Sequence, residues 1–485
     1  MRELLSVQTV SKKWNISPQR VQVLCAQGHI AGAIKERGVW CIPAAAQKPD
    51  SRKKAVKYAK AKPQINVLSL FSGCGGMDLG VEGDFDVLEA AVNRSVNPDW
   101  DVIPVDDNWV KLPKNRFRTV FANDINTAAK TAWVNFFEKK GICDSTYYLD
   151  SIVNLVKLHK EKGGGVFPQN VDIVTGGFPC QDFSVAGKRM GFNSDKSHDG
   201  RKKVNENERS KENRGQLYMW MREVVSITQP KMFIAENVKG LVNLGDVKKI
   251  IEEDFSSIAG GGYLVLPGRV LHAADYGVPQ SRERVIFFGF KKSALSQQAL
   301  RELSMPSVKA EYDPYPPVTH SYTARQENNL RAPVALRQAF IDLEEPEKSL
   351  DKAQQKYSKA KYMGKHCQGQ TEIKMDGIGP TIRSEHHGNI EFRRLSAENG
   401  GGYTEELALG MKERRLTVRE CARIQTFPDS YDFIFRNAKS NESVSASKAY
   451  KLIGNAVPPL LAFHIAKRIE TLWDRYFGGY DCDNI

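Results

Sequence analysis

One cysteine in the stretch Thr175-Gly176-Gly177-Phe178-Pro179-Cys180-Gln181-Asp182-Phe183-Ser184 stands just past an apolar run that ends in Ile173-Val174. Open α/β sheets carry their sites beyond the carboxyl ends of their strands, and a thiol held there is a candidate nucleophile. Pro179 stiffens the approach to Cys180, and the glycines let a substrate come close. A buried, inert cysteine is the competing reading, and this loop alone does not choose between them. Further upstream, INVLSLF runs directly into Ser72-Gly73-Cys74-Gly75-Gly76-Met77-Asp78. A glycine-rich turn after the first strand of such a sheet brings a nucleotide-like ligand to a helix N-terminus, although a plain tight turn reads the same way. The next apolar run ends in Asn123-Asp124-Ile125, where a carboxylate is placed for ribose hydroxyls. The interval from Gly80 to Asp124 exceeds the roughly 20 residues expected of that arrangement, and the excess lies in 84–117, an insertion rich in Trp, Asp and Asn.

The elements that position these residues follow from the runs INVLSLF, RTVFAND, VDIVTGG, KMFIAEN and RVIFFGF. Each is short, apolar and β-branched, and most are separated by longer polar or helical stretches, which predicts an α/β fold with a mostly parallel sheet. Helical signal returns at 417–427 and 457–474 after an irregular, Pro- and Gly-rich stretch around 300–410. At the other end, Val7, Val10 and Trp14 share one helical face, Ser17-Pro18 restarts a helix through Val21, Leu24 and Cys25, and HIAGAIKERGVWCIP alternates like a hairpin turning at Glu36-Arg37-Gly38. Gln19, Arg20 and Gln22 lie on the second of these helices.

Charge divides unevenly along the chain. The 485 residues hold 70 Lys/Arg and 57 Asp/Glu, a net +13, and residues 1–62 alone carry 13 Lys/Arg against 3 Asp/Glu. That basic end, +10 of the total, calls for a polyanion, with a solvated lysine-rich tail as the alternative for Arg52 to Lys62. No apolar stretch approaches the roughly 20 residues of a membrane helix, the start MRELLSVQTVSKKW has no secretory h-region, and the eight scattered cysteines form no C-x-x-C pair. These features predict a cytoplasmic protein with no metal site and no membrane partner. His386-His387 is not a metal pair, because adjacent residues on a strand point to opposite faces.

Six motifs in chain order resemble the DNA (cytosine-5)-methyltransferases of bacterial restriction–modification type. Phe71-Ser72-Gly73-Cys74-Gly75-Gly76 is similar to the family's cofactor loop and Gly177-Phe178-Pro179-Cys180-Gln181 to its catalytic loop. Glu236-Asn237-Val238 matches its ENV motif, and Gln280-Ser281-Arg282-Glu283-Arg284 its Q-x-R-x-R motif. Arg415 to Arg423 (RLTVRECAR) matches the family's L-[TS]-x-R-E-x-A-R helix from Leu416 on, and Gly454-Asn455-Ala456-Val457-Pro458-Pro459 the closing G-N-[AS]-V-P. The resemblance spans about 65–475. It implies a Rossmann-like, S-adenosyl-L-methionine-dependent fold. The N-terminal module resembles the winged helix-turn-helix of excisionase and MerR type, in which the second helix enters a major groove.

The chemistry explains why such residues are needed. Cytosine C5 is too weak a nucleophile to take a methyl group directly, and a thiolate adding at C6 makes the ring enamine-like. The resemblance makes Cys180 that nucleophile. It assigns Glu236 to N3 and the exocyclic amine, Arg284 to the base carbonyl, and Arg282 to support of the catalytic loop. For the cofactor it implies Phe71 against adenine, Gly73, Cys74 and Gly76 in the loop, Asp124 on the ribose, Ile125 where the family often has an aromatic, Asp150 toward the adenine amine, and Pro179, Leu217, Asn455 and Val457 around the pocket. The target base must be flipped out of the duplex.

The implied organisation is a helix-turn-helix module at 1–48, a basic linker at 49–64, a catalytic domain at 65–320, a smaller irregular target-recognition domain at 321–412, and C-terminal helices at 413–485 that complete the catalytic domain. Between Phe192 and Arg214 lies a charged insertion, 193–213, with Arg201, Lys202 and Lys203 as DNA-clamping candidates and a neutral insertion as the alternative. The expected partners are double-stranded DNA and a cognate restriction endonuclease acting on the same site, with the protein a monomer. A tRNA-directed cytosine methyltransferase and a DNA-binding transcriptional (auto)regulator remain open as alternatives.

Overall fold

The computed structural model describes residues 4–26, 30, 32–36, 39–48, 62–179, 217–243, 246–323, 329–384, 390–436 and 443–478. Cys180, the loop that follows it, the charged insertion, most of the 49–64 linker, the hairpin turn at Arg37-Gly38 and the His386-His387 pair lie outside these residues. The chain divides into two compact units, Met1–Lys62 and Pro63–Ile485.

In the first unit, helices Val7–Trp14 and Pro18–Ala26 pack Val7, Val10 and Trp14 with Val21, Leu24 and Cys25, joined by Ile30 and Ile42. Ser6 caps the first helix by accepting the Thr9 amide, and Ser17 accepts that of Arg20 at 3.2 Å. Asn15 stops the first helix in the left-handed region, φ 50°, which Asn tolerates better than most residues. Ile34–Glu36 and Val39–Pro43 pair antiparallel, and Leu4–Ser6 adds a third strand that the sequence did not signal. Three residues are too few for a period-two pattern to register.

The second unit is built on a sheet of eight strands: β1 (Ile65–Leu70), β2 (Phe117–Asp124), β3 (Tyr147–Leu149), β4 (Ile173–Gly177), β5 (Met232–Val238), β6 (Tyr263–Val265), β7 (Arg269–His272) and β8 (Glu283–Lys291). Their order is β6-β8-β5-β4-β1-β2-β3, with β7 also on β8. The run from β5 to β3 is parallel, whereas β8 is antiparallel to β5, β6 and β7. Alternate residues feed two cores. Met232 and Ile234 join one and Phe233 and Ala235 the other, and β8 divides in the same way into Ile286, Phe288, Phe290 and Val285, Phe287. Helices Gly76–Glu82, Thr127–Phe137 and Pro459–Phe477 cover the first face, and Ile152–Glu161, Leu217–Thr228 and Val247–Ser256 the second. Burial on both faces is why these strands read as continuous apolar runs.

The C-terminal helix sits tightly on the first. A Cβ at Gly80 would fall 2.2 Å from the Pro459 carbonyl, so only glycine fits there. The 84–117 insertion forms its own antiparallel sheet of Asp86–Leu88, Trp109–Lys111 and Ile103–Pro104. It is tied to the region past β8: Trp109 Nε1 donates to Asp342 at 3.1 Å, and Asn93 donates to the carbonyls of Thr319 and Asn329. Among the described residues, no helix is long and apolar enough to cross a membrane.

Candidate active site

Strand β1 ends in a loop that its own polar atoms shape. Phe71 takes a left-handed φ of 53°, a strained setting for a bulky side chain and one that clusters at functional sites. Ser72 donates to the Ser69 carbonyl at 3.1 Å and accepts the Asn123 amide at 3.1 Å, which pins the loop to β2. Asp124, at the end of β2, accepts the Gly73 N–H at 3.1 Å on one oxygen and the Asn126 N–H at 2.9 Å on the other. Burial pushes its carboxyl above the ordinary aspartate range, against these backbone donors. Tyr147, in β3, donates its hydroxyl to the Gly73 carbonyl at 2.9 Å, and Tyr431 donates to that of Cys74 at 2.5 Å. A Cβ built on Gly73 meets nothing within 4 Å, so the loop borders open space there. Ile125 is 48 % exposed and Asp150, just past β3, is exposed. The Asp150 carboxylate accepts Ser151 N–H at 2.6 Å and Asn154 Nδ2 at 2.9 Å.

Beneath the loop lies a buried acid. Asp78 accepts Ser69 Oγ at 2.5 Å and Trp133 Nε1 at 2.7 Å, and burial, resisted by both bonds, raises its pKa to about 6. Cys74 is also buried, its thiol directed at the Leu452 carbonyl and pushed up by burial. Leu217 is the buried first residue of its helix and Val457 is nearly as enclosed, whereas Asn455 is exposed at the end of helix Ala446–Asn455. The side chains of Cys74, Leu217 and Val457 are therefore packed into the interior.

The second half of the site stands one strand away. β4 leads through Gly177, Phe178 and Pro179 toward Cys180, and Gly177 is in register with Glu236 of β5. Asn237 Nδ2 donates to the Phe178 carbonyl at 3.1 Å and so fixes the chain two residues before the cysteine. Glu236 Oε1 meets Arg284 Nε at 2.8 Å, with both side chains 11 % exposed. Burial raises the Glu236 pKa although Arg284 and Arg282 both pull it down. A Cβ at Gly177 would lie 2.6 Å from Glu236 Oε2, so this position must be glycine for the carboxylate to sit there.

Arg282 is almost fully buried. It donates to the carbonyls of Ile382 at 3.1 Å, Gly454 at 3.0 Å and Ala456 at 2.8 Å. Gln280 beside it donates to Gln425 Oε1 at 2.5 Å and accepts the Ile382 N–H at 3.2 Å. The Q-S-R-E-R segment thus knots the irregular region, helix Val418–Ile424 and the G-N-A-V-P turn together around the Glu236–Arg284 pair.

The structure brings Phe71, Gly73, Cys74 and Gly76 to one loop with Asp124 and Ile125 at the adjacent strand end. It brings Glu236 and Arg284 into direct contact, with Arg282 close behind. Tyr147, Asn237, Ser69 and Asp78 are parts of the site that the sequence alone does not assign. A lone hydroxyl in the apolar run INVLSLF was the available signal for Ser69, whereas nothing local marks Tyr147.

The family described as C-5 cytosine-specific DNA methylase matches residues 65–471. The chain is 31% identical to the Type II methyltransferase M.BspRI of Lysinibacillus sphaericus over 431 residues, covering 85% of this chain and 83% of that protein. It is 30% identical to the Type II methyltransferase M.BsuRI of Bacillus subtilis, covering 84% and 80%. Among solved structures, a Spodoptera frugiperda DNMT2 mutant superposes with a TM-score of 0.48 at 18% identity, over 84% of this chain and 99% of that one.

Proposed function

The chain belongs to the C-5 cytosine-specific DNA methylase family, and on that footing we propose that Cys180 attacks C6 of a flipped cytosine while Glu236, oriented by Arg284, holds the ring. The protein is a DNA (cytosine-5)-methyltransferase that uses S-adenosyl-L-methionine. The cofactor supplies an electrophilic methyl group. The open space at Gly73 and the carboxylate of Asp124 suit an adenosyl group: Asp124 toward the ribose, Phe71 and Ile125 toward the adenine, Asp150 toward its amine.

The observation that carries this reading is the buried Glu236–Arg284 pair beside the strand that leads to Cys180. As the Cys180 sulfur bonds to C6, electron density moves toward N3 and C5. Burial raises the Glu236 pKa against Arg284 and Arg282, which favours the protonated form that can donate to N3 while the carboxyl accepts from the exocyclic amine. Arg284 supports that carboxyl and faces the base carbonyl. Once C5 is methylated, loss of its proton and expulsion of the Cys180 thiolate release the product. Arg282 acts at one remove, fixing the turn at Gly454 and Ala456 and the chain at Ile382. Flipping the base costs about a few kcal/mol in stacking and pairing.

The test is methylation of a mixed-sequence duplex followed by bisulfite sequencing, with Cys180→Ala alongside. Conversion-resistant cytosines in one short motif, absent with the variant, are the expected outcome. No protected cytosine, with the cofactor still bound, would shift the reading to an RNA substrate. The Type II relatives favour a cognate restriction endonuclease as partner. DNA from cells expressing the protein should then resist cleavage at the methylated motif.

The N-terminal unit is assigned to duplex contact as a winged helix-turn-helix. Helix Pro18–Ala26 exposes Gln19, Arg20 and Gln22 while burying Val21, Leu24 and Cys25. Replacing the three exposed residues by Ala in the full chain should abolish binding to the gene's own promoter without changing methylation. Unchanged promoter binding sinks the assignment.

A further inference from the structure

We propose that residues 352–365 form a strap that grips the phosphate backbone of the duplex through lysine side chains. This deepens the DNA methyltransferase reading and rests on it. The segment KAQQKYSKAKYMGK holds five lysines and no carboxylate. Lys352, Lys356, Lys359, Lys361 and Lys365 are all exposed, and among the described residues no ion pair reaches any of them. Lys359 rests on the Tyr357 ring, 3.5 Å from its centroid, which leaves its charge in place.

The main chain of the strap faces the other way, and a buried guanidinium and the start of a helix hold it there. Arg415, 1% exposed, donates from Nε to the Ala360 carbonyl at 2.7 Å and from Nη2 to that of Lys361 at 3.1 Å. Its Nη1 reaches the carbonyls of Gly369 and Ile390, and Phe392 lies under its plane at 4.0 Å. The carbonyls of Ala353 and Lys356 accept the Arg419 and Val418 amides, two of the free N–H groups at the start of helix Val418–Ile424. Carbonyls turned inward at both ends leave the lysines outside.

Carboxylates that would neutralise the strap are already engaged. Asp351 pairs with Arg419 at 2.5 Å, Glu345 with Arg394 and Arg414, and Glu347 with Lys412 at 2.8 Å. Glu372 accepts the Leu395 and Gly402 amides. Five like charges held on a fixed backbone repel one another, a cost that an evenly spaced polyanion relieves. The chain leaving the strap runs on to Gly379 and Ile382, which bond to Ser281, Gln280 and Arg282, next to Arg284. A duplex presenting its base to Glu236 is the polyanion this placement serves.

The experiment uses the full chain, with all five lysines changed to Gln and, separately, Lys352, Lys356 and Lys359 alone. Affinity for a target-bearing duplex and for a random duplex is measured across a salt series. The five-site variant should weaken both duplexes by the same factor and lower the slope of log affinity against log salt by about 4–5, near 0.9 for each phosphate no longer neutralised. The three-site variant should give a proportionate part of that change. KM for DNA should rise while kcat at saturating DNA stays put. An unchanged slope, a loss confined to the target sequence, or an effect on RNA but not on duplex DNA overturns the proposal. Failure of the unaltered protein to methylate the target duplex would instead overturn the reading on which it rests.

Discussion

Glu236 and Arg284 meet diagonally across antiparallel neighbours: Glu236 is in register with Ile286, Arg284 with Val238, and the two side chains close the step at 2.8 Å. β8 runs against the parallel set, and that reversal brings Arg284, at its start, level with Val238, at the end of β5. The acid and its cation are therefore a product of strand direction, built at the carboxyl edge where β4 also delivers Gly177.

Glu236→Gln keeps the shape but removes the titrating proton. The folded Glu236 pKa is raised, so the protonated form persists to higher pH than in an ordinary glutamate and disappears as pH climbs through that value. The alkaline fall of kcat in the wild type should be missing from the variant, and kcat should drop about 10²–10⁴-fold, the range of a lost general acid–base group. A pH–rate profile under saturating DNA checks this, and an identical alkaline limb in both proteins would assign the proton elsewhere.

Gly177→Ala tests the same carboxylate from the other side. The new Cβ would crowd Glu236 Oε2 at 2.6 Å. Displacing the carboxylate by about 1 Å should cost roughly 10²-fold in kcat. Binding of S-adenosylmethionine, measured by calorimetry, should stay as it was.

Asp124→Ala removes the acceptor of the Gly73 and Asn126 amides together with the proposed ribose contact. Hydrogen bonds to a charged group contribute about 1.5–3 kcal/mol, so cofactor affinity should fall about 10- to 100-fold. Affinity for DNA alone should be little changed. Equal losses for both ligands would mean that the whole unit had been disturbed.

Asp78 should make stability depend on pH. Its folded pKa, about 6, stands above the unfolded value near 3.8. Its contribution is then full below the unfolded value and is lost as pH rises through about 6. At about 1.36 kcal/mol per unit, the wild type should lose roughly 3 kcal/mol relative to Asp78→Asn between pH 3.5 and 8. Denaturant unfolding of both proteins across that range reads the difference directly, and parallel curves would mean that Asp78 does not titrate on unfolding.

Glu345 should act with the opposite sign. Arg394 and Arg414, both buried, hold its pKa down to about 2 against partial burial. That stability is present above the unfolded value and fades as pH falls toward 2. Glu345→Gln should cost about 1–3 kcal/mol at pH 7, because each arginine keeps a second carboxylate, Glu406 or Glu420. The deficit in melting temperature should narrow between pH 5 and pH 3.

The main strands of the sheet were legible in the residues alone, and the chemistry in the resemblance that six ordered motifs carry. The five apolar runs became β1, β2, β4, β5 and β8, because burial on both faces writes an uninterrupted apolar stretch into each. The structure places Asp124 at the end of β2 and Glu236 near the end of β5, the strand ends those runs predicted. Strands β3, β6 and β7, at three or four residues, carry too little pattern to be seen. Folding in three dimensions was needed to show that β8 runs antiparallel, that the 84–117 insertion is a small sheet anchored on Asp342, and that Tyr147 holds the Gly73 carbonyl. It also set the partners of Arg282 and Arg415, whose bonds reach as far as 174 and 55 residues along the chain. A long guanidinium finds carbonyls wherever folding brings them, and no local periodicity encodes which ones they are.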